Sequence, residues 1–105
     1  MNMVPPEKLT FEWDLAKESA NVRKHRITFT EAIESFSDLK GFVLVDESHS
    51  GTEARYYWVG KSASGRVLTT RYTRRGETIR IIGWAEWRKF QRLYEATKAG
   101  ESETE

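Results

Sequence analysis

Apolar and polar positions along the chain follow two periods, and the changes between them mark the predicted elements. Leu9–Trp13 alternates apolar and polar residues, which is typical of a short edge strand. Asp14 can then cap a helix over about Leu15–Lys24, because its carboxylate can accept hydrogen bonds from the exposed amides of the first turn. The domain is therefore expected to begin with a strand and a helix, after a flexible lead-in over residues 1–8.

A second helix is predicted by a combined start signal and apolar stripe. Thr28 and Glu31 have the spacing of a capping box, in which each side chain pairs with a backbone amide near the helix start. Apolar residues then recur at i, i+3, i+4 and i+7, on one helix face: Phe29, Ala32, Ile33 and Phe36. This helix is expected to end near Asp38.

Four further segments have the composition of strands: Phe42–Val45, Arg55–Gly60, Arg66–Thr73 and Thr78–Gly83. The short loops between them favour an antiparallel meander. Helical spacing returns over about Trp84–Lys98, and Gly100 is expected to end this helix before an acidic, disordered tail over residues 100–105. The pattern predicts an α+β fold over residues 9–99, with two helices on one face of a mostly antiparallel sheet and a C-terminal helix.

Composition narrows the class of protein. A chain of 105 residues, 38% of them hydrophobic, is large enough for one globular domain with a single core. The absence of cysteine excludes disulfides, thiolate chemistry and zinc–thiolate sites, and it fits a cytoplasmic protein. No apolar run approaches the roughly 18 residues of a membrane span. The first ten residues also lack the pattern of a secretory signal.

The net charge of +1 conceals a strong local excess of positive charge. Residues 61–83 carry six basic side chains and one acid, Glu77, which gives this segment a net charge of +5. Such an excess is typical of a surface that binds an anion, most often phosphate. The alternative is a solvated hairpin whose arginines serve solubility.

Arg80 lies in the middle of the last predicted strand, opposite the face formed by the two flanking isoleucines. A guanidinium keeps its proton, so it must either meet a carboxylate or face solvent. One interpretation is an ion pair with Glu53 or Glu12, and the other is an open sheet face that binds phosphate. Arg71 favours the open face, because it occupies a similar mid-strand position in the neighbouring strand.

Proton-transfer candidates occur in two places. His49 and Glu53 lie in the loop-to-strand segment Asp46–Arg55, where a rigid sheet can aim functional side chains. His25 follows Lys24 at the end of the first helix, where cations also complement the helix dipole. Histidine titrates near neutral pH, and a glutamate can act as a base when its pKa is raised. The sequence leaves open which group would be the acid and which the base.

Cleavage of RNA without a metal requires cations for the phosphate, a base and an acid. Arg55, Arg71 and Arg80 could bind and stabilise the phosphate. Aromatic residues on the sheet could stack on unpaired bases: Tyr56, Trp58 and Tyr72. A metal site is not predicted, since the chain has two histidines and no helix carries paired ligands.

Motifs along residues 9–95 resemble those of the BrnT toxins of bacterial type II toxin–antitoxin systems, in the same order and spacing. They include FEWD at Phe11–Asp14, TFTEAIESFSD at Thr28–Asp38, D-x-x-H-S-x-x-E-x-R at Asp46–Arg55 and IRII at Ile79–Ile82. The resemblance implies a RelE-like fold and a cytoplasmic, metal-independent endoribonuclease that needs no cofactor and arrests translation. It also implies a cognate antitoxin with a ribbon-helix-helix domain, and contact with operator DNA only through the antitoxin complex.

The residues and the resemblance together predict two sets of site residues. The expected catalytic residues are His25, His49, Glu53 and Arg80. The expected RNA- or phosphate-binding residues are Lys24, Arg55, Arg71, Tyr72 and Arg75.

The chain departs from the family pattern at two places. Many members have Ser-Ala-Arg after the last strand, where this chain has Gly83-Trp84-Ala85, so a cation is missing unless Arg88, Lys89 or Arg92 replaces it. Arg26 stands where the family often has glycine. The alternative functions are a non-catalytic nucleic-acid-binding module and a protein-interaction module that binds an antitoxin through the same arginines.

Overall fold

The computed structural model describes residues 9–47 and 53–103, the last six by backbone alone. It contains five strands and three α-helices: β1 Thr10–Glu12, α1 Leu15–His25, α2 Phe29–Glu34, β2 Phe42–Val45, β3 Tyr56–Lys61, β4 Val67–Arg75, β5 Thr78–Ala85 and α3 Arg88–Glu103. The strands form one sheet in the order β1-β5-β4-β3-β2, in which β1 runs parallel to β5 and the other neighbours are antiparallel. The predicted α+β fold is confirmed, including β1 as an edge strand.

The two faces of the sheet are covered differently. The first face packs under α1 and α2 and forms the larger part of the core, which includes Ile27, Phe29, Ala32, Phe36, Leu68, Tyr72, Ile79, Ile81 and Trp84. On the second face, α3 covers the β2–β3–β4 side through a smaller cluster around Val59, Val67 and Tyr94. The β4–β5 side of that second face is therefore not covered by α3.

The starts of α1 and α2 follow from their caps. The Asp14 carboxylate accepts hydrogen bonds from the Ala16 and Lys17 amides at 2.8 and 3.1 Å, as predicted. The Thr28 hydroxyl accepts from the Glu31 amide at 3.1 Å, which is one half of the predicted capping box. The other half does not form, because the Glu31 carboxylate turns away to Arg66.

The second helix is shorter than its apolar stripe indicates. It ends at Glu34 and continues as a 3₁₀ turn over Ser35–Ser37, not as α-helix to Asp38. The buried Ser35 hydroxyl donates to the Ala32 carbonyl at 2.6 Å, and the Ser35 carbonyl accepts from the Trp58 indole at 2.8 Å. The Ser35 carbonyl thus accepts a hydrogen bond from a side chain of β3 at the point where the α-helix changes to the 3₁₀ turn.

The last strand and last helix also differ from the prediction. Trp84 and Ala85 extend β5, because they pair with Thr70 and Thr69 of β4. The helix that the pattern begins at Trp84 begins instead at Arg88, and it continues through Gly100 to Glu103. No helix in the described ranges is both long and apolar enough to cross a membrane. The lead-in, residues 1–8, lies outside the described residues, and the domain boundaries stay predictions.

A polar network joins α2 to the turn between β3 and β4. The Glu31 carboxylate accepts hydrogen bonds from Arg66 Nε, Ser62 Oγ and Ser64 Oγ and forms an ion pair with the Arg66 guanidinium. The hydrogen bond from Arg66 lowers the pKa of Glu31 to about 2, although partial burial acts in the opposite direction. The network therefore stabilises the fold as long as Glu31 is ionised.

We expect Glu31→Gln to lower the free energy of unfolding by about 2 kcal/mol at pH 7, after discounting for the partial exposure of Arg66. Because the folded pKa is below the ordinary value of 4.5, this stabilisation is complete above pH 4.5 and is lost as the pH falls towards about 2. Urea unfolding followed by circular dichroism at pH 7, 4 and 3 measures the difference between parent and variant.

The matched control is Glu34→Gln, on the exposed surface of the same helix, which should change stability by no more than about 0.5 kcal/mol. A Glu31→Gln protein as stable as this control at pH 7 would contradict the stabilising role of the network. A difference in unfolding free energy between parent and Glu31→Gln that stays constant as the pH falls would contradict it too.

Candidate functional site

A cleft with a volume of about 350 Å³ opens between α1, the middle of β4 and the end of β5, beside the start of α3. Three groups of residues line it: Lys17, Ala20, Asn21, Lys24 and His25 from α1; Thr69, Arg71, Ile82, Gly83, Trp84 and Ala85 from the sheet; and Trp87 before α3. We call this space the cleft. No acidic side chain is among the described residues that line it.

Asn21 attaches α1 to the edge of the sheet. Strand β1 pairs with β5 only over Thr78–Arg80, so the outer edge of β5 has no strand neighbour further along. There the Asn21 amide donates to the Trp84 carbonyl at 2.6 Å and accepts from the Trp84 amide at 3.1 Å. A Cβ at Gly83 would lie only 3.1 Å from the Asn21 oxygen, so the glycine allows this close approach.

The face of α1 that Asn21 presents to the sheet also carries the cations of the cleft. Lys17, Asn21 and Lys24 are spaced i, i+4 and i+7, which places them on one side of the helix, and His25 follows directly. The helix ends in the next residue, Arg26, whose φ of 57° and ψ of 37° are left-handed. This conformation favours glycine, so the family's frequent glycine at this position has a backbone reason.

Arg71 enters the cleft from the sheet, at a position where β4 pairs with Gly83 of β5. Its Nε is buried and has no hydrogen-bond partner within the described part of the chain. A buried N–H donor without a hydrogen-bond partner is unfavourable unless another group accepts from it. Arg71 and the cations of α1 thus line one cleft, and no acidic side chain is among its described lining residues.

The remaining predicted cations lie on the neighbouring part of the same sheet face. Arg75 Nε donates to Glu53 Oε2 at 2.8 Å, and Arg80 Nη1 lies 4.0 Å from Glu12 Oε1. We call these four residues the open strip, since Arg75 and Arg80 have side chains that are 66% and 57% exposed. Arg80 thus faces solvent with the Glu12 carboxylate close by, and phosphate binding at this face stays a prediction.

The structure does not support Glu53 as a general base. The sequence argument requires a raised pKa, but the hydrogen bond from Arg75 lowers the pKa of Glu53. Arg75 also lies four positions from Arg71 along β4, which at about 3.4 Å per residue separates their backbones by about 13 Å. Glu53 is therefore placed to orient Arg75, away from the phosphate that Arg71 would hold.

Tyr72 requires a correction. It is adjacent to Arg71 in β4, so its side chain points to the opposite face of the sheet. Only 5% of its surface is exposed, and its ring packs against Phe36 and Tyr56 at centroid distances of 5.7 and 5.4 Å. Tyr72 belongs to the core and is not accessible to an RNA base; Trp58, whose indole donates to Ser35, also packs against that core.

Two further predicted site residues are Arg55 and His49. Arg55 is half-buried just before β3 and does not line the cleft. His49 lies outside the described residues, so its assignment stays a prediction. Of the nine predicted site residues, the cleft brings together Lys24, His25 and Arg71.

Most lining residues of the cleft are not among the predicted site residues, and two of these have functional side chains that bear on binding: Lys17 and Trp87. The helical spacing of Lys17 relative to Lys24 could have identified it, since both lie on one helix face. Ala85, where many family members have arginine, is buried at the edge of the cleft. The substitutes expected from α3, Arg88, Lys89 and Arg92, are exposed and do not line the cleft, whereas Lys17 does.

We expect Asn21→Ala to lower the free energy of unfolding by about 1–3 kcal/mol, because the Trp84 amide and carbonyl would lose their partner. Ser19→Ala, at an exposed position of the same helix, controls for the higher helix propensity of alanine. Urea unfolding of both variants measures the effect. If Asn21→Ala is no less stable than Ser19→Ala, the contact does not hold α1 to the sheet.

Comparison with known proteins identifies the family of the chain. Residues 13–90 match the model of a family described as ribonuclease toxin, BrnT, of type II toxin-antitoxin system. The matched segment contains every residue that lines the cleft. No curated protein matches the chain.

Proposed function

The chain belongs to the BrnT family of ribonuclease toxins from type II toxin–antitoxin systems, and we propose that it cuts RNA in the cleft without a metal ion. The observation that carries this proposal is the buried, unpartnered Nε of Arg71, which lies in the same cleft as Lys17, Lys24 and His25. This arrangement supports a phosphate site with a proton-transfer group beside it. Its cations supply the charge that a metal ion would otherwise provide.

Cleavage would proceed by attack of the ribose 2′-oxygen on the adjacent phosphorus. The bond to the 5′-oxygen of the next nucleotide breaks, and the products carry a 2′,3′-cyclic phosphate and a 5′-hydroxyl. Arg71 and Lys24 would stabilise the negative charge that accumulates on the phosphate oxygens, and His25 would accept the proton of the 2′-hydroxyl. His49 stays the sequence-based candidate for protonating the leaving oxygen.

The open strip would bind RNA next to the cut. Arg75 and Arg80 are about two to four strand positions from Arg71, a separation of about 7–13 Å, so they would contact neighbouring phosphates. Glu53 would hold Arg75 in place. Such contacts strengthen binding and make it dependent on salt, because each neutralised phosphate releases counterions.

The family and the resemblance support a more detailed biological role. The partner would be a protein antitoxin with a ribbon-helix-helix DNA-binding domain, and the chain would reach operator DNA only within that complex. Cutting of cellular RNA would inhibit translation, and the protein would act in the cytoplasm. The same exposed arginines that bind RNA phosphates, Arg75 and Arg80, would suit an acidic segment of the antitoxin.

A test uses total RNA incubated with purified protein in EDTA. We expect the parent to cut RNA under these conditions and Arg71→Ala to be about 100-fold slower, since one charge-stabilising group is lost. His25→Asn should lose about 100-fold as well, because the proton-transfer group is removed. In a cell-free translation reaction the parent should stop synthesis, and the two variants should do so more slowly by the same factors.

The matched control is Arg74→Ala, an exposed arginine of the same strand whose Nε donates to the Gly76 carbonyl outside the cleft. Together with Glu53→Gln and Arg80→Ala, it should retain activity within about tenfold, since these groups do not contact the reacting phosphate. A folded Arg71→Ala that cuts at the parent rate would disprove the assignment. Salt-dependent RNA binding without cleavage by the parent would support the non-catalytic alternative.

A further inference from the structure

Trp87 occupies the wall of the cleft between the end of β5 and the start of α3. Its indole is half-buried and packs against two aromatic rings of the sheet and helix. The Tyr57 ring meets it edge to face, with centroids 5.5 Å apart and planes at 73°, and the Phe90 ring lies 5.8 Å away at 34°. These contacts fix the orientation of the indole before any ligand binds.

The backbone of Trp87 is fixed as well. Its carbonyl accepts hydrogen bonds from the Phe90 and Gln91 amides, both at 3.0 Å, and so begins the hydrogen-bond ladder of α3. An aromatic side chain held at both its ring and its backbone loses little conformational freedom when a ligand stacks on it. Trp87 is thus suited to be a rigid surface for a flat ring.

Three other aromatic residues near the cleft are less suited to this role. Trp84 also borders the cleft, but it is 4% exposed and its indole nitrogen donates to the Ile27 carbonyl at 2.6 Å. Trp58 and Tyr72 pack in or against the core on the opposite sheet face. Among the described residues that line the cleft, Trp87 is the aromatic side chain with accessible surface for a base.

We propose that Trp87 is a stacking platform for one unpaired RNA base whose phosphate lies against Arg71, which makes the cleft selective for single-stranded RNA. This inference rests on the proposed function of the cleft. An aromatic face beside a group of cations is the arrangement that recognises a base and its phosphate together. The cleft volume of about 350 Å³ lies within the range of small-ligand sites, about 300–1,000 Å³.

The selectivity follows from base accessibility. Bases of an RNA duplex are stacked inside the helix, so none of them can lie on Trp87 without unpairing. An unpaired segment exposes its base faces, and stacking tolerates different bases because each has a flat π surface. We therefore expect strong discrimination between single-stranded and duplex RNA and weaker discrimination among bases.

The test measures binding of three uncleavable 2′-O-methyl probes: a single-stranded oligonucleotide of mixed sequence, an abasic strand of equal length and charge, and a duplex. The parent should bind the single strand at least about tenfold more tightly than the abasic strand or the duplex. Trp87→Leu should lose about tenfold for the single strand and nothing for the abasic strand, because phosphate contacts are unchanged.

The matched control is Trp13→Leu, since Trp13 is 38% exposed and lies outside the cleft. Trp13→Leu should bind the single-stranded probe more tightly than the abasic probe by the same factor as the parent. Trp87→Phe retains a ring to pack against Tyr57 and Phe90, so it provides a second readout if Trp87→Leu fails to fold. Quenching of tryptophan fluorescence by the single-stranded probe should be smaller in Trp87→Phe than in the parent.

The outcomes separate this inference from the proposed function. A parent that cuts RNA while Trp87→Leu keeps the full base preference overturns the platform alone. Equal losses for the base-containing and abasic probes indicate a purely structural role and overturn it too, as does unchanged quenching in Trp87→Phe. A parent that neither binds nor cuts RNA overturns the proposed function and the platform together.

Discussion

The pair of hydrogen bonds between the Asn21 side chain and the Trp84 backbone is the contact on which the cleft depends. Strand β1 is short and leaves the last part of β5 without a strand partner, so the Trp84 amide and carbonyl need another one. A side-chain amide has both a donor and an acceptor, and it can therefore pair with both groups as a strand would. The two residues are 63 positions apart in the chain, and their contact fixes α1 against the sheet edge.

The same contact sets the electrostatics of the site. Because Asn21 shares a helix face with Lys17 and Lys24, attaching Asn21 to β5 brings both lysines next to Arg71. Gly83 lies directly beside Arg71 in the sheet and leaves room for the Asn21 oxygen. The neutral Asn21 contact thus keeps these positively charged side chains in one cleft although they repel one another. A bound anion would reduce that repulsion.

The second sheet face is only partly covered by α3. Helix α3 packs on apolar residues of β2, β3 and the start of β4, and Arg75 near the other end of β4 stays exposed. Ala85 also lines the cleft and carries no charge at the position where the resemblance predicts an arginine. Lys17 supplies a cation from α1 instead, because Coulomb attraction to phosphate depends on position in space and not on the element that carries the charge.

The sequence by itself determined the order and type of the elements, the Asp14 cap and the apolar stripe of α2, because these features depend on residues a few positions apart. It also located the cationic segment that contains Arg71. Boundaries that depend on distant partners were wrong: Trp84 belongs to β5 because of pairing with Thr70, not to a helix. Only the tertiary structure decided that Arg71 shares a cleft with Lys17 and His25 while Tyr72 lies in the core. Electrostatic and stacking interactions act between side chains that the fold brings close together. The position of a residue in the sequence does not show which side chains will be its neighbours in space.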